Sequence, residues 1–443
     1  MTAMPSKKTE SVTAAIPTPT TLAPVGQRMP NAQTVLGIIA LSTFLSMSVW
    51  FSASFVVPQL TTLWHLSAGE TSLLTIGVQV GFVVGAIALA ATGLADTIPT
   101  RRLMSLGSIG AAAANLGILW VPGLPAALIL RVVTGILLAA VYPPALKLVS
   151  TWFREGRGTA LGLMIGALTL GSALPHLINA TGGLNWRVVI GGTSVLSSLG
   201  GLLILMVRVK GPYPFPQSTF QFGAALTALR SRPVALANLG YIGHMWELYA
   251  MWAWVGAFFA SLPAVAASPN ARAKASLLAF VCIGAGTLGC MAGGYLSDRY
   301  GRAQSALISL ACSGTAAVVV SISRGLPLPV ILSICIFWGF WVIADSAQFS
   351  ALVTENVDPR YVGSAVAMQL AAGFLTTTVT LWLVPVLVEK YSWGPALAVL
   401  AIGPAIGVGA MIALLRVSKV KQPPTAPMYR TTVLCRLAWM WTR

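Results

Sequence analysis

Twelve apolar runs follow one another along the chain, each near the roughly 20 residues that a helix needs to cross a bilayer. They cover 34–58, 71–94, 103–121, 124–148, 159–180, 187–207, 236–261, 275–296, 303–322, 327–351, 362–387 and 394–415. Most connections are only a few residues long. The exception is 208–235, where Gly211, Pro212, Pro214 and Pro216 precede a weakly amphipathic stretch. It separates six spans from six. The pattern predicts an all-α integral membrane protein with twelve transmembrane helices in two pseudo-symmetric six-helix bundles, 33–207 and 236–416, joined by a cytoplasmic linker at 208–235. Residues 1–32, rich in Pro, Thr and Ala, hold nothing that could bury a core and are expected to form a disordered cytoplasmic arm. The apolar run after them exceeds the ~7–15 residues of a signal-peptide core, which favours a retained anchor. Residues 417–443 are expected to form a basic cytoplasmic tail. Within it, the aromatic and basic segment Met428–Arg443 either lies on the inner membrane surface or is disordered.

Composition removes the soluble alternative. Charged residues make up 8% of the 443, against about a quarter in soluble globular proteins, and 56% are hydrophobic. The net charge of +17 could suggest a nucleic-acid partner. Nucleic-acid binders gather Lys and Arg on one face with aromatic residues among them. Here the basic residues form short clusters between apolar runs. With the N-terminus inside, inner loops and tails carry 21 of the 27 Lys and Arg, the positive-inside asymmetry of a cytoplasmic (inner) membrane protein with both termini cytoplasmic. No nucleic-acid partner is expected. The five cysteines show no C-x-x-C spacing, and four lie in apolar runs, so neither a metal site nor a disulfide framework is expected.

The halves repeat. Asp298 follows the eighth span as Asp96 follows the second, an offset of 202 that also carries Trp50 onto Trp252. Transporters built from two similar halves bind their substrate between them near the midplane. The loop after the eighth span reads Gly294-Tyr-Leu-Ser-Asp298-Arg299-Tyr-Gly301-Arg302. It resembles the signature G-x-x-x-D-R-x-G-R of the major facilitator superfamily. The first-half copy, Gly93-Leu-Ala-Asp96-Thr-Ile-Pro99-Thr-Arg101-Arg102, is degenerate, with Pro99 at the glycine and Thr97 at the arginine. Residues 131–166 add Arg131, Gly135, Pro143-Pro144, Lys147, the Trp152–Gly158 loop and Gly162, in the order of that family's fourth and fifth spans. The resemblance implies the superfamily's fold, transport by alternating access, and a conformational latch of Asp96, Arg101, Arg102, Gly294, Asp298, Arg299, Gly301 and Arg302. Chemically, a carboxylate at a helix end pairs with arginines and helix N-termini, while glycine lets helices approach closely. A plain capping role for the same charges is the simpler alternative.

Two patterns carry no chemistry. Gly284-x-Gly286-x-x-Gly289 would need a strand before it to bind a dinucleotide, and it lies inside a span. With Gly289-x-x-x-Gly293 it reads as helix packing. No lysine stands in a phosphate-binding loop, so ATP-driven pumping is not expected, and no cofactor is implied.

Ionisable residues within spans are costly and mark ion or solute pathways. They are Arg131, His176, His244, Glu247 and Asp345. Four lie on spans 4, 7 and 10, which with span 1 line the central cavity in the family. His244 and Glu247 share a helix face, and the ~1.5 Å rise per residue sets His244 and Asp345 at similar depth. A carboxylate held away from water is a candidate proton carrier, and histidine titrates near neutrality. The expected solute and proton pathway is therefore Arg131, His244, Glu247, Asp345, Gln348, Trp50 and Trp246. A static Asp345–His244 pair, and a packing role for Arg131, are the plainer alternatives. His244 and Glu247 alone are too few to bind a metal. The chain reads as a monomeric, proton-coupled secondary transporter of a small solute, a symporter in the leading version. A drug or metabolite efflux antiporter and a non-transporting sensor with a transporter fold stand behind it. No nucleophile, base and orienting group share a loop, so no enzyme is expected.

Overall fold

The computed structural model describes residues 30–154, 156–180, 185–209, 211–213, 223, 227, 230–358 and 361–421. The expected arm apart from residues 30–32, most of the linker and the segment Met428–Arg443 lie outside them. Every regular element among the described residues is a helix. Eleven helical stretches are long and apolar enough to cross a membrane: Ala32–Val49, Gly69–Thr92, Thr100–Trp120, Leu124–Ser150, Arg157–Ala180, Trp186–Met206, Ala271–Tyr300, Arg302–Ser321, Leu328–Asn356, Val362–Lys390 and Trp393–Val417. These are spans 1–6 and 8–12.

Span 7 is the helix Arg232–Ala260, 29 residues long. Asn238, His244 and Glu247, with three tryptophans and two tyrosines, dilute its apolarity below that of the others. The helix compensates by burial: it packs against spans 8, 10, 11 and 12. The protein is therefore a multi-pass membrane protein, with twelve long helical spans among the described residues.

The two halves show the same internal packing. In the first, span 1 packs on 5 and 6, span 2 on 4, and span 3 on 4 and 6. In the second, span 7 packs on 11 and 12, span 8 on 10, and span 9 on 10 and 12. The most extensive seams between the halves are 5 with 8 and 2 with 11, and exchanging the halves turns one pair into the other.

Three spans are interrupted midway, each for a local reason. Span 1 tightens at Met47–Val49, breaks at Trp50 and Phe51, and resumes as short helices over Ser52–Phe55 and Val57–Trp64. Span 4 stops at Leu138 and restarts at Tyr142, with Pro143 in the first turn of the new helix. Proline fits that place because its missing N–H has no helical partner there. Span 10 stops at Trp341 and restarts at Ser346, with Asp345 as the residue before the new first turn. Shifted by 202, the break at 139–141 in span 4 falls on 341–343 and overlaps the break at 342–345 in span 10, so the internal repeat extends to the backbone.

The seam between spans 5 and 8 is built on small residues. A methyl on Gly158 would meet the Asp298 carboxylate, one on Gly162 would lie 2.6 Å from the Cys290 carbonyl, and one on Gly166 would lie 3.1 Å from Thr287. Glycines four apart along one helix thus let the two backbones meet, the close approach that stabilises helices in lipid. Asn179 donates to Ser276 Oγ at 2.8 Å at the opposite end of the seam. Spans 5 and 8 are joined along most of their length.

Candidate functional site: a one-ended cavity and its buried polar residues

A cavity of about 360 Å³ lies between the halves, toward the end where the Asp298–Arg302 loop sits. That end is called the basic end below. Its walls come from the matching ends of spans 2, 4, 5, 10 and 11, including Ala90, Leu146, Leu161, Ala351 and Ala367. At its inner limit, Tyr142, Ile165 and Ser346 also line a second void of about 20 Å³, which reaches Tyr241, Tyr249 and Phe374.

Beyond that void, an aromatic layer closes the molecule. Trp50 lies 5.1 Å from Phe82, 5.8 Å from Tyr249 and 5.7 Å from Phe374, ring centre to ring centre. Phe82 and Phe374 are 4.5 Å apart, so spans 2 and 11 meet here. These rings come from both halves. They seal the end opposite the cavity mouth, while spans 2 and 11 both line the cavity at the basic end.

Asp345 and His244 lie behind the cavity wall, next to Ser346, which lines it. The break in span 10 sets Asp345 against span 7, with His244 Nδ1 2.8 Å from Asp345 Oδ1, an ion-pair contact that leaves this oxygen without a well-aligned hydrogen bond. His244 Nε2 lies 2.9 Å from Ser346 Oγ. Both His244 and Asp345 are buried. One ring nitrogen thus faces the carboxylate and the other the serine hydroxyl. Ser346 thus links the cavity wall to the buried pair.

Glu247 shares the helix face expected of it but has other partners. Its Oε1 accepts from Trp338 Nε1 at 2.7 Å, and its Oε2 accepts from Ser313 Oγ at 2.8 Å. It thereby joins spans 7, 9 and 10 within one bundle and is not part of the cavity wall. Gln348 is buried and donates to the Gly293 carbonyl at 3.2 Å, with its Oε1 unpartnered. Trp246 points at span 12, where its Nε1 donates to the Val399 carbonyl at 3.0 Å. Trp50 belongs to the aromatic layer, and its Nε1 has no partner. His176 packs against Phe55 and under Gly256.

Arg131 is fully buried inside the first bundle. It donates to the Leu74 carbonyl at 3.1 Å, the Val49 carbonyl at 3.0 Å and Asn115 Oδ1 at 3.2 Å, and also to the Trp50 carbonyl. Two of these acceptors are carbonyls that the break in span 1 leaves without helical donors. Asn115 extends the network, accepting from Ser52 Oγ at 2.5 Å and donating to Ser194 Oγ at 3.0 Å. A lone asparagine in the third apolar run was the available signal for this residue. Ser313 and the indole of Trp338 carried no such signal.

The latch residues divide. Asp298 packs against the N-terminus of span 5 at Gly158, with Thr159 Oγ1 3.4 Å from its Oδ2. A carboxylate there faces the positive end of the helix dipole. Gly294 brings span 8 against the Gly158 carbonyl, and Gly301 makes the turn with φ +91°. Arg302 pairs with Glu355 on span 10, within its own bundle. Arg299 bonds the Tyr295 hydroxyl at 3.1 Å and lies over the Tyr300 ring, away from Asp298. Arg101 and Arg102 open span 3. Asp96 falls in the short helix Leu94–Thr97, but its side chain is outside the described residues. Among the described residues, no group of His, Cys, Asp and Glu gathers to hold a metal ion.

Two pseudo-symmetric six-helix bundles around a cavity open at one end define a class: an all-helical, multi-pass membrane protein of the two-bundle type. A sequence profile described as Major Facilitator Superfamily matches residues 39–371. The chain belongs to that superfamily. It is 29% identical over 247 residues to the MFS transporter asaE of Aspergillus flavus, in a match covering 54% of this chain and 54% of that protein. The match thus spans about half the length of that curated relative. Among solved structures, it is similar to the proton:xylose symporter XylE bound to 6-bromo-6-deoxy-D-glucose, with TM-score 0.67 and 15% identity, over 87% of this chain and 95% of the other. It is also similar to a bacterial homolog of the human lysosomal transporter Spinster, inward-facing and occupied, with TM-score 0.65 and 16% identity, over 90% and 100% of the two chains. At these identities the likenesses concern the fold.

Proposed function

We propose that this chain is a secondary transporter that moves a small solute across the cytoplasmic membrane by alternating access, coupled to protons. It acts as a monomer with both termini cytoplasmic, so that the cavity faces the cytoplasm. The observation that carries the reading is the Ser346–His244–Asp345 chain at the cavity's inner limit. A proton arriving from the cavity reaches His244 Nε2 through the Ser346 hydroxyl, and the imidazolium then gains a full ion pair with Asp345. Discharge of that proton changes the charge on spans 7 and 10 together. The break in span 10 lets this segment move independently of the outer half of its helix.

Purified protein in vesicles tests the proposal, using a labelled solute found by counterflow screening. Asp345→Asn should abolish accumulation driven by an imposed pH gradient while leaving solute exchange intact. Proton-driven accumulation that survives both Asp345→Asn and His244→Gln would overturn it. The mainly apolar cavity walls favour, as a second reading, an efflux antiporter for drug-like or metabolite solutes; proton and solute then move in opposite directions in the same vesicles.

A further inference from the structure

We infer that the cavity takes an uncharged amphipathic solute, an apolar body whose hydroxyl-bearing end enters first and rests at the inner limit between Tyr142 and Ser346. The inference rests on the transporter reading and names the solute class of that same cavity. Three observations carry it.

First, the inner limit carries hydroxyl residues from both halves. Tyr142 of span 4 and Ser346 of span 10 line the cavity and the small void beyond it, and Tyr241 and Tyr249 of span 7 line that void. Phenol and serine hydroxyls both donate and accept. At about 20 Å³ the void has room for a group the size of one water, such as a terminal hydroxyl. An apolar end placed there would forgo every hydrogen bond these residues can make.

Second, the walls leading to that limit are amphipathic. Ala86 and Ala90 on span 2, and Leu161 and Ile165 on span 5, give apolar strips, each pair four apart on one helix face. Ser346, Ser350 and Thr354 repeat at the same spacing on span 10, so a strip of hydroxyl residues leads inward beside them. An apolar body gains by leaving water along the first strips, while the few polar groups fix its orientation.

Third, the charges around the cavity are already engaged. Arg302 pairs with Glu355, and Lys147 and Arg157 have partners of their own. Behind Ser346, His244 and Asp345 face one another. Among the described residues, the lining therefore offers an ionised end no spare counter-charge. Carrying such an end out of water to the inner limit costs more than a neutral hydrogen bond returns.

The test uses the full chain in detergent, by equilibrium dialysis against protein-free micelles as the background. Four naphthalene probes of similar size differ in their end group: 1-naphthylmethanol, 1-ethylnaphthalene, 1-naphthoate and protonated 1-naphthylmethylamine. Relative to the background, the alcohol should bind about two- to tenfold more tightly than the ethyl compound, the range of one neutral hydrogen bond. It should bind at least roughly tenfold more tightly than either ion. Tyr142→Phe, Tyr241→Phe and Tyr249→Phe each remove one oxygen. At least one of them should weaken the alcohol by a similar factor and leave the ethyl compound unchanged. The wild-type ranking needs no variant, so the question stays answerable should a tyrosine variant fail to give monodisperse protein. An ethyl compound bound as tightly as the alcohol, or an ion bound as tightly, would overturn the inference. So would three tyrosine variants that all keep wild-type affinity, or no binding of any probe to folded protein. Flux separates it from the reading beneath it. The expected ranking with no proton-driven flux of any solute from the counterflow screen removes the transporter reading and leaves the site standing. Proton-driven flux of an ionised solute, with the alcohol bound no better than the ions, does the reverse.

Discussion

Replacing Arg131 with Met removes four donated hydrogen bonds while preserving much of the side chain's length and apolar stem. The acceptors left behind are the carbonyls of Leu74, Val49 and Trp50 and the Asn115 side chain, all in a region closed to water. Hydrogen bonds between membrane helices average about 0.6 kcal/mol each, with a maximum near 1.7. Four of them amount to about 2.4 kcal/mol at the average, and stranded buried acceptors push the loss higher. At about 1.4 kcal/mol per tenfold, Arg131→Met should raise the unfolded-to-folded ratio at least fiftyfold. Reversible unfolding in mixed micelles, followed by tryptophan fluorescence, measures this directly. Arg131→Lys should recover only part of the loss, because one ammonium cannot reach acceptors on spans 1, 2 and 3 in the geometry that a planar guanidinium spans. Arg131→Met unfolding at the wild-type midpoint, with transport alone impaired, would refute the structural role argued here and return this residue to the solute pathway.

Glu247→Gln should alter stability by less than about 1 kcal/mol, since the amide oxygen still accepts from Trp338 and the Ser313 hydroxyl can turn to accept from the amide nitrogen. Glu247→Leu strands both donors and should cost about 1–3 kcal/mol; equal thermal midpoints for the two variants would contradict the assignment. Gly162→Val drives a side chain into the Cys290 carbonyl, so folded yield from size-exclusion chromatography should fall severely, whereas Gly191→Ala, with open space around it, should behave as wild type. Arg302→Ala should change stability by only roughly 0–1 kcal/mol despite breaking an ion pair, because its Glu355 partner is half exposed; a larger loss on thermal denaturation would show that the pair holds spans 9 and 10 together.

Twelve helices and their division were legible because a lipid-crossing helix must present a long apolar run. Span 7 shows where that logic thins. Its His244, Trp246, Glu247 and Trp254 meet neighbours that periodicity does not reveal, and the run qualifies because Glu247 is the one Asp, Glu, Lys or Arg between Arg232 and Ala260. The breaks in spans 1, 4 and 10 were hidden, since a stretch can stay apolar while its backbone changes direction. Spacing of three placed His244 and Glu247 on one face, yet a face is wide enough to serve two neighbours, and His244 meets span 10 at Asp345 while Glu247 meets Ser313 and Trp338. Arg131 carried a motif without its partners, because three of its four acceptors are backbone carbonyls that no side-chain pattern encodes.

Span 7 also bears on how the protein is made. A segment with a carboxylate and a histidine among its central turns partitions poorly into lipid when it leaves the insertion machinery alone. Its acceptors and donors come from later-synthesised residues: Ser313, Trp338, Asp345 and Ser346 all lie C-terminal to it. The nascent chain must therefore wait for spans 9 and 10 before this helix settles. Glycosylation mapping of chains truncated after residue 301 should find Arg232–Ala260 incompletely inserted, and chains extended past residue 356 should show it in place.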